Sequence, residues 1–450
     1  MTDQTFPPGF VWGVAASSYQ IEGAVDEGGR GPSIWDTFSH TPGAVANGDT
    51  GDVACDHYHR WAEDLDLMVD LGIASYRFSV AWPRVMPDGR TVNQAGMDFY
   101  RRLVDGLLDR GIRPLMTLYH WDLPQSLDVG DAGGWLSREV PERFVDYALA
   151  LGKELGDRVP AVTTLNEPWC SAFLGYASGE HAPGRTENAM AFRAAHHLNL
   201  AHGRAVTALR SVLAPNVDLS VALNLHQVQA GSDRPEDLAA AEHVDLIANR
   251  IFLDPMFGGG YSEELRATTE GLTDWSFVRP GDEAEIGVPL DSVGVNFYNP
   301  SRVTGVAGSL PFPGTDRAFG AVTPGPRTVM GWPIVPSSFT DLLLRVQRDV
   351  GLPIQVMENG LGNRDVVEGG EVHDQDRIDY LRAHLEAVLE ARGRGADVRG
   401  YYVWTLLDNF EWAWGYDKRF GLIHVDFADQ RRTLKDSARW YAEVIERNGL

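Results

Sequence analysis

Eight short apolar segments, rich in β-branched and aromatic residues, recur along the whole chain and constrain its fold more than any other feature. They are FVWGVAAS (10–17), SYRFSV (75–80), IRPLMTLYH (112–120), AVTTLNE (161–167), VDLSVALNL (217–225), SVGVNFYN (292–299), PIQVMENG (353–360) and GYYVWTLLD (400–408). Such runs are what strands buried on both faces of a parallel sheet look like. Helical patterns lie between them. Met97, Tyr100, Leu103, Val104, Leu107 and Leu108 repeat at helical spacing and stop at Gly111, which can cap the C-terminus. Ser137 can cap a second helix with a stripe at Val140, Phe144, Tyr147, Ala148, Leu151 and Leu155, ending near Gly156. A third stripe runs through Phe339, Leu342, Leu343 and Val346, and a fourth through Ile378, Leu381, Leu385 and Leu389. Strands alternating with crossover helices require a mainly parallel sheet, and eight such units predict an α/β fold, the closed (β/α)8 or TIM barrel. Residues 1–450 are read as one catalytic domain. An open doubly wound sheet competes, but no glycine-rich phosphate loop follows the first strand. The stretches 226–291 and 300–336 carry little periodicity and are read as long insertions between strands.

A chain of 450 residues suffices for such a barrel, and its 44% hydrophobic and 23% charged residues are ordinary globular usage. A net charge of -24 repels phosphate backbones and anionic lipid heads, so no nucleic acid and no membrane is expected as a partner. No basic segment followed by an apolar one opens the sequence, and no run approaches the roughly 20 apolar residues of a membrane span. Only Cys55 and Cys170 are present, which gives no disulfide framework, although one bridge between them stays open. A cytoplasmic location is the resulting expectation. The oligomeric state is open, a homo-oligomer included.

In a barrel, side chains at the C-terminal ends of the strands converge on one face. Those ends supply Gln20 past the first strand, Arg77 on the second, His120 and Trp121 after the third, and Asn166 and Glu167 after the fourth. Asn296 and Tyr298 lie on the sixth, Glu358 after the seventh and Trp404 on the eighth, with Glu411 and Trp412 soon after. Amides and carboxylates match the dense hydroxyls of a sugar, and aromatic faces cover its apolar C–H patches. Glu167 and Glu358 close matched apolar runs, and glycoside hydrolysis needs such a pair: one acid protonates the leaving oxygen while a second carboxylate acts on the opposite side of the anomeric carbon. Each piece alone also has a structural explanation. Glu167 before Pro168 can simply end a strand, and Asn359-Gly360 is turn chemistry. His120 can be a core histidine, and Trp121, Trp404 and Trp412 can be packing. CDHYHRW at 55–61 has metal-ligand residue types, but it opens a helix with a stripe at Trp61, Leu65 and Met68, so no metal is expected. Conjunction decides the matter, since seven of the eight strand ends carry groups suited to one ligand.

An ordered series of motifs spans the chain: FVWGVAASSYQIEGA, GPSIWDTF, YRFSVAWPR, TLYHWDLP, LNEP, ASGEHAPG, NFYN, MGWPI, MENG, NFEWAWGYDKRFGLIHVDF and KDSARWY. On these the chain resembles glycoside hydrolase family 1, the retaining β-glycosidases. The resemblance implies a (β/α)8 barrel, Glu167 as general acid/base and Glu358 as nucleophile. It further implies that Gln20, His120, Trp121, Asn166, Glu411 and Trp412 bind the sugar, with Trp404 as its stacking floor. Arg77 and Tyr298 would flank Glu358, and Asn296 would lie near Glu167. Trp332 would line the leaving-group side, with Trp169 and Leu174 as further candidates for that wall. Arg77 and Tyr298 are expected to lower the Glu358 pKa, and burial beside Glu358 to keep Glu167 protonated. Two departures stand out: Met357 where a threonine often precedes ENG, and Phe297 in place of a frequent tyrosine. Relatives acting on 6-phosphoglycosides usually carry serine where this chain has Glu411, and thioglucosidases lack the acid/base glutamate. The implied substrates are therefore unphosphorylated small-molecule β-O-glucosides and oligosaccharides such as cellobiose, with no cofactor. Glucose against galactose or fucose stays open, as does hydrolysis against transfer to another acceptor.

Overall fold

The computed structural model describes residues 4–306 and 323–450. Each of the eight apolar segments forms a strand: β1 (Val11–Ala16), β2 (Ser75–Ser79), β3 (Arg113–Tyr119), β4 (Ala161–Asn166), β5 (Asp218–Asn224), β6 (Val293–Asn296), β7 (Ile354–Asn359) and β8 (Val398–Trp404). All pair in parallel with their chain neighbours, and β1 also pairs with β8, closing the barrel. A helix follows every strand: α1 (His57–Asp70), α2 (Gln94–Asp109), α3 (Glu139–Leu155), α4 (Asn188–Arg210), α5 (Pro235–Asp245), α6 (Pro336–Val350), α7 (Gln375–Gly393) and α8 (Asp436–Arg447). Gly111 stands two residues past α2 with φ +72°, the left-handed geometry that ends a helix. The Ser137 hydroxyl accepts the Glu139 N–H at 3.3 Å at the start of α3.

The stretch 226–291 is not the aperiodic insertion its sequence suggests. It contains α5, which runs on through Leu246–Arg250 to Ile251–Met256 and supplies the fifth crossover. Only Asp237 and Val244 of α5 are buried, so no apolar stripe marks it. The stretch 300–336 falls partly outside the described residues; its start, Ser301–Val303, pairs in parallel with Val228–Ala230.

Strand alternation divides the core in two. Tyr76 and Phe78 of β2 point outward into the large layer between strands and helices, where Trp82 stacks on Tyr147 at 5.0 Å. Ser75 and Arg77 point inward. Ser75 bonds the Tyr402 hydroxyl at 2.9 Å and Arg77 donates to Thr117 at 3.2 Å, inside a smaller cluster of Ala15, Leu115, Ala222, Met357, Tyr402 and Trp404. The chain ends lock the seam beside β1. Phe6 donates to the Asn448 carbonyl at 2.8 Å, Trp12 to the Asn448 side chain at 2.9 Å, and Tyr441 of α8 to Gly13 at 3.0 Å. Cys55 and Cys170 are both buried free thiols, which removes the one disulfide the sequence left open. No described helix is long and apolar enough to cross a membrane.

Candidate functional site

Alternation alone would not deliver both glutamates to the barrel mouth. Thr163 of β4 faces inward, bonding Ser220 at 2.9 Å, and Thr164 faces α4 through His202 at 2.7 Å. Strict alternation would then turn Asn166 outward. The register between β4 and β5 slips between Thr163 and Asn166, and Asn166 instead meets Arg77 inside the barrel at 2.6 Å. The same device operates on β7: Met357 faces inward, yet so does Glu358, with a register shift against β6 beside it. Asn359 is thereby turned outward, where it accepts from Tyr401 and donates to the Phe297 carbonyl. Such bulges re-aim side chains at the rims of barrels. Glu167 itself has φ +45°, as Trp121 (φ +78°) and Trp412 (φ +48°) also lie in the left-handed region. Non-glycine residues are rare there, and clustering of three around one cavity is the mark of a positioned site.

The Glu358 carboxylate accepts from Arg77 at 2.5 Å on one oxygen and from the Tyr298 hydroxyl at 2.8 Å on the other. Glu167 accepts from the Asn296 amide at 2.7 Å and from the Cys170 thiol at 3.2 Å. The Asn296 amide also donates to Asn166 at 3.0 Å, which fixes its orientation toward Glu167. Burial raises the pKa of both glutamates. This corrects the expectation for Glu358, whose loss of water outweighs the opposing pull of Arg77 and Tyr298. Glu167 is pushed up to about 8, by burial first and by the Glu358 charge second, while Arg77, bonded to Glu358 instead, opposes this only weakly. The proton of the pair therefore resides on Glu167, while Glu358 holds the cation.

The cavity above them measures about 650 Å³. Trp404, His120 and Trp412 form a near-parallel series of rings, with centroids 5.6 Å apart for the first pair and 5.9 Å for the second. Trp121 packs on Trp412 at 4.5 Å and gives its indole N–H to the Asn166 carbonyl at 2.9 Å. Asn166 and Gln20 are wholly buried just behind the wall. Asn166 bonds His120 at 3.0 Å, while Gln20 donates to Phe410 at 2.8 Å and, at 3.5 Å, to Glu411. Burial pushes Glu411 up to about 8, helped by the charges of Glu358 and Glu167. Its loop is anchored from below by Asp408, which accepts from Lys435 at 2.6 Å and Arg419 at 2.8 Å. Trp332 leans on Tyr298 with ring centroids 5.4 Å apart; Trp169 and Leu174 line the wall beyond Glu167. Of the two departures noted in sequence, Phe297 stacks outward on Phe339 at 4.7 Å and Met357 lies below the cavity.

A parallel eight-stranded barrel with paired glutamates at its mouth fits one comparison along its entire length. The model of Glycosyl hydrolase family 1 matches residues 2–450. The chain belongs to glycoside hydrolase family 1. A family 1 relative described as a bifunctional β-D-glucosidase/β-D-fucosidase, from Bifidobacterium breve, is 52% identical over 459 aligned residues, covering 98% of each chain. The family 1 β-glucosidase structure from Exiguobacterium antarcticum superposes with a TM-score of 0.95 at 46% identity, covering 99% of both chains. A β-glucosidase from Thermotoga maritima in complex with glucoimidazole superposes at 0.93 with 43% identity, covering 99% of this chain and 100% of that one.

Within this family 1 site, all fifteen sequence candidates gather at one barrel mouth or directly beneath it. Sequence reasoning missed Cys170, Asn224 and Phe420, which line the same cavity. Asn224 ends β5, so the strand-end rule could have found it. Cys170 carried no such signal: it reaches Glu167 because Pro168–Ser178 coils into a wide helical turn straight after β4. The histidines of CDHYHRW are held by carboxylates, His57 by Asp64 at 2.7 Å and His59 by Asp56 at 2.6 Å. No metal-holding cluster of His, Cys, Asp and Glu occurs among the described residues.

Proposed function

We propose that this family 1 glycoside hydrolase is a retaining β-glucosidase acting on terminal β-D-glucosyl residues of cellobiose, cello-oligosaccharides or aryl glucosides. The observation that carries the reading is the asymmetry of the glutamate pair: Glu358 bonds Arg77 and Tyr298, while Glu167 bonds only neutral groups. In the first step Glu358 attacks the anomeric carbon as the bond to the leaving oxygen breaks, and Glu167 gives that oxygen its proton. Glu358 becomes a neutral ester. Its charge no longer opposes ionisation of Glu167, which then takes a proton from water as the water displaces Glu358 and restores the β configuration. Retention requires carboxyls about 5–5.5 Å apart. The effect of the Glu358 charge on Glu167 is consistent with that close spacing.

Substrate charge follows from the wall. The described lining residues include four glutamates (Glu167, Glu180, Glu358, Glu411) and a single arginine or lysine, Arg327. A phosphorylated sugar would meet the ionised Glu358 and one cation among the described lining residues, whereas hydroxyls can bond Glu411 in either protonation state. The name of the Bifidobacterium breve relative gives one reason to test a second substrate, the β-D-fucoside, whose sugar lacks a 6-hydroxyl.

The test is nitrophenol release from aryl β-glucoside, β-fucoside and 6-phospho-β-glucoside by wild type and Glu358→Gly. Release from the unphosphorylated substrates, lost in the variant, supports the reading. Preference for the phosphorylated sugar overturns the role given to Glu411.

A further inference from the structure

We infer that Cys170 is a positioning residue for Glu167: its rotatable thiol lets that carboxyl carry and release a proton at one oxygen, Oε2. The inference rests on the reading of Glu167 as acid/base. The two oxygens of Glu167 have unlike partners. Oε1 accepts the Asn296 N–H at 2.7 Å, and the Asn296 amide is itself fixed by a second bond to Asn166 at 3.0 Å. An amide N–H cannot turn into an acceptor, so a proton on Oε1 would crowd that bond, and Oε2 is the freer place for the acid proton. Cys170 Sγ lies 3.2 Å from Oε2, close enough for the thiol to donate. A thiol rotates about its Cβ–Sγ bond and is both a weak donor and a weak acceptor. It donates to the carboxylate and turns aside for the acid, at small cost in either state. The sulfur is held from behind by the Asn224 amide, which donates to it at 3.4 Å.

Other groups around Glu167 are fixed. Arg77 is bound to Glu358 and Asn166, and Tyr298 donates to Glu358. Glu358 and Glu411 oppose ionisation of Glu167 or are opposed by it, and His120, bonded to Asn166, is held neutral by burial and Arg77. Thiol ionisation plays no part, since burial raises the Cys170 pKa far above its ordinary value. The weakness of the S–H donor keeps the acid form of Glu167 accessible at neutral pH. A stronger donor at this place would hold the carboxylate instead.

The experiment is the pH profile of kcat/KM for wild type, Cys170→Ser and Cys170→Ala on two aryl β-glucosides, one with a poor phenol leaving group and one with a dinitrophenol that leaves without protonation. Serine should move the alkaline limb down, and alanine up, each by roughly half a pH unit or more on the poor leaving group. Serine should also cut kcat/KM at pH 7 several-fold for that substrate while leaving the dinitrophenyl glucoside within twofold. Coincident alkaline limbs in all three proteins would overturn the inference, as would equal losses on both substrates, which mark a merely structural change. If wild type hydrolyses neither glucoside, the reading beneath the inference fails, a result distinguishable from the others.

Discussion

At the residue scale the site depends on unequal treatment of two buried carboxyls. Arg77 at 2.5 Å makes ionisation of Glu358 tolerable, while Glu167 is hydrogen-bonded by an amide and a thiol. Because the Glu167 pKa is raised to about 8, it is protonated below that pH, and activity should fall as pH rises through it. Replacing Glu167 by glycine should remove this alkaline limb. It should slow hydrolysis of a phenyl β-glucoside by about 10²–10⁴-fold while leaving formation of the glycosyl-enzyme from a dinitrophenyl glucoside nearly intact. Added azide, which needs no base, should then restore turnover and give the β-glycosyl azide. An α-glycosyl azide would reverse the two glutamate assignments.

At the element scale, the strands were legible and the bulges were not. Segments such as SYRFSV announce a buried parallel strand by composition, and a conjunction of strand ends announces a site. Whether Asn166 or Glu358 faces inward depends on register with β5 and β6, which one strand's sequence does not carry. Helix α5 was hidden for another reason: PEDLAAAEHVD buries too little to show a stripe, and forms through alanine-rich propensity and Pro235 in its first turn. Turn chemistry is the structural alternative for the ENG glycine, but its φ is not in the left-handed region. A Cβ on Gly360 would instead collide with the Trp404 carbonyl, so the glycine allows β7 and β8 to approach just beyond Glu358. Gly360→Ala should cost roughly 1–3 kcal/mol in urea unfolding and lower kcat, since relief of the clash displaces Glu358 or Trp404. Unchanged stability and kcat would show that this approach is not constrained.

At the scale of the whole molecule, a barrel closed by pairing of its first and last strands carries a mouth crowded with acid. Glu167 and Glu411 both have folded-state pKa values raised to about 8 from an ordinary 4.5. A raised value means that these two groups bind more protons in the native state than in the unfolded chain between these limits, so their contribution to stability is complete below about pH 4.5 and declines as pH rises toward 8. Glu411→Gln should therefore stabilise the protein by on the order of 1–2 kcal/mol at pH 8, allowing for water in the open cavity, and by much less at pH 5. Thermal midpoints of the variant and wild type at both pH values check this. A gain independent of pH would assign it to packing instead. The same substitution should weaken glucoside binding, a trade of stability against function expected where charges are gathered for a ligand.

The central claim is that Glu358 forms a covalent bond to the sugar, and the most direct measurement is mass analysis of the enzyme after brief exposure to a 2-deoxy-2-fluoro-β-glucoside with an activated leaving group. The fluorine destabilises both oxocarbenium-like transition states, and the good leaving group lets the first step outrun the second. The expected result is a mass increase of one fluoroglucosyl group, located by peptide mapping on the segment containing Glu358 and absent from Glu358→Gly. Turnover with no adduct, or an adduct on the Glu167 segment, would contradict it.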